Sequence, residues 1–148
     1  MDGEVKAVQL GGPSGIFIDG RDLDIPVDYE SIAAAGGFLG SGTVAVVEKD
    51  VCMVEKSRDI AAYLHEQSCG QCVFCREGTL HIANIMAGIA ENNGHAGDLD
   101  LIREIGGQMK NGCIGGLGRT AANPILTSMT LFAEEFDAHI KEKICPTK

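Results

Sequence analysis

Four cysteines in this chain have the spacing of metal ligands. Cys69, Cys72 and Cys75 form a C-x2-C-x2-C array within seven residues, and Cys113 follows about one helix length later. Three thiolates this close would crowd a single tetrahedral zinc ion, whereas they suit three corners of a cubane iron–sulfur cluster. A fourth cysteine from another element would then close the cage. The spacing predicts one 4Fe–4S cluster held by these four residues.

Two other interpretations of the array stay open, a structural zinc site and a pair of redox-active thiols. A thioredoxin-like C-x-x-C motif follows a strand, but here a helix is predicted before it, and the third cysteine has no role. The fourth cysteine is remote and no Cys-Pro follows nearby, so the run is not of the bacterial ferredoxin type either. Arg76 and Lys110 could offset the negative charge of a cluster or be ordinary surface cations.

The remaining cysteines and histidines give weaker signals. Cys52 stands between Val51 and Met53 after a predicted strand, which is typical of a small buried hydrophobic residue. Cys145 follows His139 by six residues, and this pair would need two more partners to hold a metal. We therefore interpret them as a lone helix histidine and an exposed terminal thiol. The other histidines have no ligand spacing: His65, His81 and His95.

Composition excludes several functional classes. The chain of 148 residues carries a net charge of −9, from 21 acidic and 12 basic residues, and has no basic stripe, which argues against nucleic-acid binding. No apolar run reaches the roughly 18 residues of a membrane span. The acidic start lacks the apolar segment of a secretory signal. Six cysteines in a chain without export then predict metal ligands and buried thiols in a cytoplasmic protein, not disulfides.

The first part of the chain, residues 1–52, has the pattern of a small β-rich module. Glycine-rich segments at 11–15 and 36–40 lack the order of a phosphate-binding loop, so we interpret them as turns. The β-branched and alternating segments predict three strands, and one short helix lies between the second and the third. These elements are expected at residues 4–10, 16–18, 29–35 and 43–47.

The second part has helical periodicity and predicts a four-helix bundle over residues 57–143, followed by a tail at 144–148. Ser57 is a plausible N-cap for the first helix, and Asn123 with Pro124 opens the last. This arrangement puts all four candidate cysteines in loops at the bundle end, and the fold class is α+β. The helices are expected at residues 57–67, 77–92 and 98–110, and from 123 onward.

The sequence around these cysteines resembles a known family. Residues 68–79, SCGQCVFCREGT, closely resemble the cluster loop of the flavin-bearing, NADH-oxidising subunit of respiratory complex I and its counterparts in NAD(P)-linked hydrogenases and formate dehydrogenases. Residues 118–124 are similar to the stretch after the family's fourth ligand. Residues 6–15 and 24–30 resemble its ubiquitin-like, soluble-ligand-binding β-grasp module, and residues 52–54 resemble the hydrogenase-type branch.

Three departures from the family pattern accompany the resemblance. The family usually has proline in place of Phe74, and its fourth cysteine directly precedes Gly-Leu-Gly, whereas the loop after Cys113 is two residues longer. The family's N-terminal half, with its FMN and NADH site, has no counterpart here. The chain then starts partway into the β-grasp module, so strand 4–10 is expected to lack a neighbour and to pair with another chain.

The resemblance implies an electron-transfer subunit that is not catalytic alone. One 4Fe–4S cluster would relay electrons from FMN on a partner chain to further iron–sulfur centres of an NAD(P)H-linked oxidoreductase complex. The alternative function is a non-catalytic assembly module that binds zinc or no metal.

Overall fold

A three-stranded antiparallel sheet forms the first part of the chain in the computed structural model, which describes residues 4–147. The strands are β1 (Val5–Leu10), β2 (Ile16–Asp19) and β3 (Val44–Glu48), in the order β2-β1-β3. All three predicted strands are present, each within about one residue of its expected bounds. Their β-branched residues and flanking glycines therefore carried enough local information to locate them.

Strand β1 lies in the centre of the sheet, and the prediction that it lacks a neighbour is wrong. Val8 pairs with Ile18 of β2 on one side and with Val46 of β3 on the other. The position that we expected another chain to fill is occupied by β3, which returns from farther along the sequence. The outer edge of β2 is also in contact with the helices, because the Phe17 N–H donates to Thr127 Oγ1 at 3.0 Å.

The two glycine-rich segments pack against each other beside the sheet. Gly11 and Gly12 turn the chain between β1 and β2 with φ angles of +90° and +84°, a conformation that favours glycine. A Cβ atom on Gly11 would lie 2.4 Å from the carbonyl oxygen of Phe38, and one on Gly40 would lie 2.3 Å from the carbonyl oxygen of Gly11. These glycines allow a close backbone approach within the module, as the turn interpretation requires.

A short helix, α1 (Tyr29–Ala34), covers one face of the sheet. Its N-terminus is capped by Asp28, whose carboxylate accepts a hydrogen bond from the Ser31 N–H at 2.7 Å. Ile32 is its buried residue and belongs to a small apolar cluster with three sheet residues: Leu10, Ile16 and Ile18.

The second part of the chain is helical and forms the predicted bundle. Apolar residues of its helices share one core with the sheet residues Ala7, Phe17 and Val47, and the proposed module boundary at residue 52 stays a prediction. None of the described helices is long and apolar enough to cross a membrane. The helices are α2 (Met53–Glu66), α3 (Val73–Ala90), α4 (Asp98–Gly112), α5 (Gly116–Thr120), α6 (Asn123–Leu131), α7 (Ala133–Asp137) and a π-helical turn (Ala138–Glu142).

Helix α2 begins at Met53, four residues before the predicted cap. Ser57 is buried inside the helix, so its assignment as the N-cap is wrong. The Met53 N–H donates instead to Glu135 Oε2 at 2.9 Å, and the other oxygen of Glu135 lies 2.5 Å from Lys6 Nζ. The cap therefore comes from a residue far away in sequence, which a local pattern does not reveal.

The last helix is interrupted at Phe132, whereas the helical periodicity predicts one continuous helix. The backbone of Phe132 has φ −121° and ψ 38°, outside the helical region, and it separates α6 from α7. The chain continues from α7 directly into the π-helical turn. This interruption redirects the end of the chain toward the start of α2.

Replacing Glu135 by alanine should destabilise the fold by about 1–3 kcal/mol, because it leaves the Met53 N–H and the half-buried Lys6 ammonium without their carboxylate. The neighbouring Glu134 is exposed, so Glu134→Ala is the matched control and should change stability little. Urea unfolding of both variants measures the difference. Equal unfolding free energies would show that the tertiary cap contributes nothing.

Candidate iron–sulfur centre

The loop between α2 and α3 carries the first cysteine and is folded by its own hydrogen bonds. Gly70 has φ +74°, and its N–H donates to Ser68 Oγ at 3.3 Å. The same oxygen lies 3.4 Å from Cys75 Sγ. Ser68 therefore joins the loop to a cysteine on the next helix. Cys69 itself is exposed in this loop.

Arg76 fastens the loop from the other side. Its guanidinium Nη1 donates to the carbonyl oxygen of Gly70 at 2.7 Å, and its Nε lies 2.8 Å from Glu77 Oε1. Of the two cations considered in the sequence, Arg76 thus contacts the cysteine loop directly. Lys110 is exposed in the last turn of α4.

Helix α3 begins within the cysteine array, so the prediction that all four cysteines lie in loops is wrong for Cys75. Cys72 is the N-cap of α3, and Cys75 lies in its first turn with a relative exposure of 7%. The helix was predicted to start at residue 77, with the cysteine array in the loop before it. A helix N-terminus favours negative charge and so favours the thiolate form of Cys72, the N-cap residue.

Cys113, at the end of α4, lies near Cys72 and Cys75 at the start of α3. It is the C-cap residue, its N–H donates to the Met109 carbonyl oxygen at 3.0 Å, and its side chain is buried. The N–H groups of Cys75 and Ile114 face the Cys72 sulfur and lower the pKa of that thiol. Burial, together with the neighbouring Cys72, raises the pKa of Cys113 to about 11.

Cys72 and Cys113 lie next to each other, and their side chains share a hydrogen bond. A buried thiol with a raised pKa keeps its proton at neutral pH, and a metal centre must displace that proton when it binds. Hydrogen bonds from the surrounding backbone N–H groups lower the pKa of the Cys72 thiol. Cys72 therefore gives up its proton to a metal centre more readily than Cys113 does.

A glycine on the short helix α5 lets this helix pass directly over the cysteines. A Cβ atom on Gly118 would lie 2.6 Å from Cys113 Sγ and 3.0 Å from the Cβ of Cys75. No side chain larger than hydrogen fits there without displacing a thiol. Gly118 belongs to the segment that resembles the family, but neither α5 nor this contact was predicted from the sequence.

The arrangement fits an iron–sulfur cluster. Cys72, Cys75 and Cys113 converge from two helix ends, backbone N–H groups face one sulfur, and Gly118 lets α5 pack closely against Cys75 and Cys113. Soft thiolate donors with N–H groups directed at sulfur are the donor set that such clusters use. Cys69 lies in the adjoining loop and is not among the thiols that the structure brings together.

Fold and site together define the class as an iron–sulfur protein of the electron-transfer type. The family model described as "NADH-ubiquinone oxidoreductase-F iron-sulfur binding region" matches residues 55–139, a range that includes all four candidate cysteines. The chain belongs to this family, as the resemblance implied. Its cofactor is a 4Fe–4S cluster, and the predicted fold class is confirmed.

Comparisons with individual proteins agree with this assignment. The chain is 40% identical over 141 residues to the NADP-reducing hydrogenase subunit HndC of Solidesulfovibrio fructosivorans, a match that covers 95% of the chain and 29% of that subunit. It is 35% identical over 143 residues to an NADH-quinone oxidoreductase subunit of Rhizobium meliloti (strain 1021), covering 97% of the chain and 34% of the relative.

A solved structure shows the same architecture. The crystal structure of an NAD⁺-reducing [NiFe]-hydrogenase in the H2-reduced state superposes with a TM-score of 0.77 at 27% identity, covering 99% of this chain and 25% of that one. The chain therefore spans about a quarter to a third of the proteins that it matches. It corresponds to their cluster-binding portion.

Proposed function

We propose that Cys69, Cys72, Cys75 and Cys113 are the four cluster ligands, and that the chain relays electrons from FMN on a partner chain to the next iron–sulfur centre. The observation that carries this proposal is the convergence of Cys72, Cys75 and Cys113, with Gly118 against the last two, inside the matched family region. We include Cys69 because of the C-x2-C-x2-C spacing, and it lies in the loop that Arg76 contacts through the Gly70 carbonyl oxygen.

The chain's own residues would hold the cofactor and set its surroundings. When bound, a 4Fe–4S cluster supplies one-electron oxidation and reduction, at potentials that range from about −700 to +450 mV among proteins. The N–H groups facing Cys72 stabilise negative charge on sulfur, and burial of Cys75 and Cys113 excludes water from one side. Both effects adjust the potential without further residues.

The partner would approach from the exposed side of the centre. Val73 and Phe74 are 59% and 48% exposed on the first turn of α3, and Ile114 is 91% exposed directly after Cys113. Apolar side chains at this exposure are suited to an interface, and they adjoin Cys72 and Cys113 in sequence. A flavin-bearing chain seated here would cover the cysteine loop and bring its cofactor close to it.

The complex that contains the chain would be an NAD(P)H-linked oxidoreductase of the hydrogenase, transhydrogenase or formate dehydrogenase type. The matches to hydrogenase and NADH-quinone oxidoreductase subunits support this proposal. We place the complex in the cytoplasm, because unpaired thiols persist in a reducing compartment.

Anaerobic reconstitution with iron and sulfide tests the proposal. The isolated chain should become brown and bind about four irons, yet it should neither retain FMN nor oxidise NADH by itself. NADH should reduce the cluster only after the flavin-bearing partner is added, as followed by electron paramagnetic resonance. Cys72→Ser is the control and should remain colourless.

The alternative function, an assembly module with zinc or no metal, predicts a colourless protein under the same conditions. A chain that stays colourless after reconstitution, or that binds zinc at these cysteines in preference to iron, would contradict our proposal. Stoichiometric FMN on the pure chain would contradict the assignment of the flavin to a partner.

A further inference from the structure

A second group of metal-binding side chains lies away from the iron–sulfur centre. One ligand atom each from Cys52, His139 and Cys145 lies within 4.8 Å of the other two. His139 is fully buried and Cys145 is half-buried, so their interpretation as a lone helix histidine and an exposed thiol is wrong. Cys52 is buried as expected, but its sulfur lies 3.4 Å from His139 Nε2.

Two parts of the chain that are distant in sequence bring these residues together. Cys52 is the N-cap of α2, and His139 lies in the π-helical turn, a rare element that is often found at functional sites. The chain then reverses at Lys143, which has φ +60° and whose Nζ donates to the Gly94 carbonyl oxygen at 2.5 Å. This reversal returns Cys145 to the other two ligands.

The imidazole of His139 is oriented as a metal ligand requires. Its Nδ1 lies 3.2 Å from the carbonyl oxygen of Ile89, and a carbonyl only accepts hydrogen bonds, so Nδ1 carries the proton. Nε2 is then left with its lone pair directed toward Cys52. Metal-binding histidines are commonly fixed by such a hydrogen bond from the second ring nitrogen.

The group is separate from the iron–sulfur centre in sequence. The family model ends at residue 139 and begins at residue 55, so neither Cys52 nor Cys145 lies in the matched region. A buried Cys–His pair could be ordinary core packing. It would not by itself account for a third thiol that is returned to the same point by a left-handed turn.

We propose that Cys52, His139 and Cys145 bind one zinc ion, which fastens the end of the chain to the start of α2. Two thiolates and one imidazole are ligands that zinc favours, and the ion prefers four tetrahedral ligands. Within the described residues these three supply three positions. The fourth position would be taken by water or by a further protein group.

Metal analysis of the full chain, purified without added metal and with iron and zinc measured separately, tests this proposal. We expect one zinc per chain in addition to the cluster iron. Cys145→Ser should lose most of the zinc and keep the iron, and Cys145→His, which can still bind zinc, should keep both. Cys72→Ser should show the reverse, with zinc retained and iron lost.

Substitution of zinc by cobalt provides a second measurement, which reports the ligands of the bound metal directly. Cobalt bound by two thiolates and a histidine should give the visible bands of a tetrahedral cobalt–thiolate site in the apoprotein of Cys72→Ser, which lacks the cluster. These bands should be absent when Cys145→Ser is added. The proposal would be overturned if Cys72→Ser gives no cobalt bands. It would also be overturned if Cys145→Ser leaves the zinc content unchanged, or if the chain binds iron in place of zinc at this site.

Discussion

Cys113→Ser should abolish assembly of the full cluster, with iron and sulfide well below the about four of each in the reconstituted wild-type chain. Serine preserves the size of the side chain but replaces a thiolate with a hydroxyl, which is a poor ligand for iron–sulfur clusters. Cys113 is also the one candidate ligand outside the C-x2-C-x2-C array, so nothing within that array can replace it. Iron and sulfide analysis with visible absorbance measures the loss.

Cys52→Ser is the matched control for this substitution. Cys52 and Cys113 are similarly buried, with relative exposures of 5% and 7%, so both changes introduce the same hydroxyl into a similar environment. Cys52→Ser should keep the full iron content, although we expect it to lower the zinc content. If Cys113→Ser retains a complete cluster with an unchanged spectrum, the fourth ligand has been assigned to the wrong residue.

Local signals in the sequence were sufficient to predict most elements of the fold. Strands β1 and β2 are ended by glycine turns, β3 is a β-branched segment that follows Gly42, and α1 follows an aspartate cap, so neighbouring residues determine these elements. The cysteine spacing likewise identified the cofactor without any knowledge of how the chain folds. Both kinds of information are contained within a few consecutive residues.

What could not be predicted depends on contacts between distant residues. The start of α2 is set by Glu135, and the central position of β1 is set by the return of β3. The second ligand group exists because Phe132 interrupts the last helix and Lys143 reverses the chain. Patterns of neighbouring residues do not encode contacts between distant parts of the chain. Cys52, His139 and Cys145 were therefore each interpreted separately.

The contact of Gly118 with Cys75 and Cys113 provides a test of packing that the sequence did not reveal. Alanine is favoured over glycine inside a helix by up to about 1 kcal/mol, so Gly118→Ala would stabilise α5 if space were available. The structure predicts the opposite sign, because the added Cβ would lie 2.6 Å from Cys113 Sγ and 3.0 Å from the Cβ of Cys75.

We expect Gly118→Ala to destabilise the chain by about 1–3 kcal/mol and to reduce cluster occupancy, since α5 or the Cys113 thiol must move to make room. Gly116→Ala is the matched control, because it lies on the same short helix and an added Cβ would have no heavy atom within 4 Å. That control should be neutral or slightly stabilising. Urea unfolding and iron content of both variants after identical reconstitution provide the comparison. Equal behaviour of the two variants would mean that α5 does not pack on the cysteines as described, and that Gly118 is an ordinary helix residue.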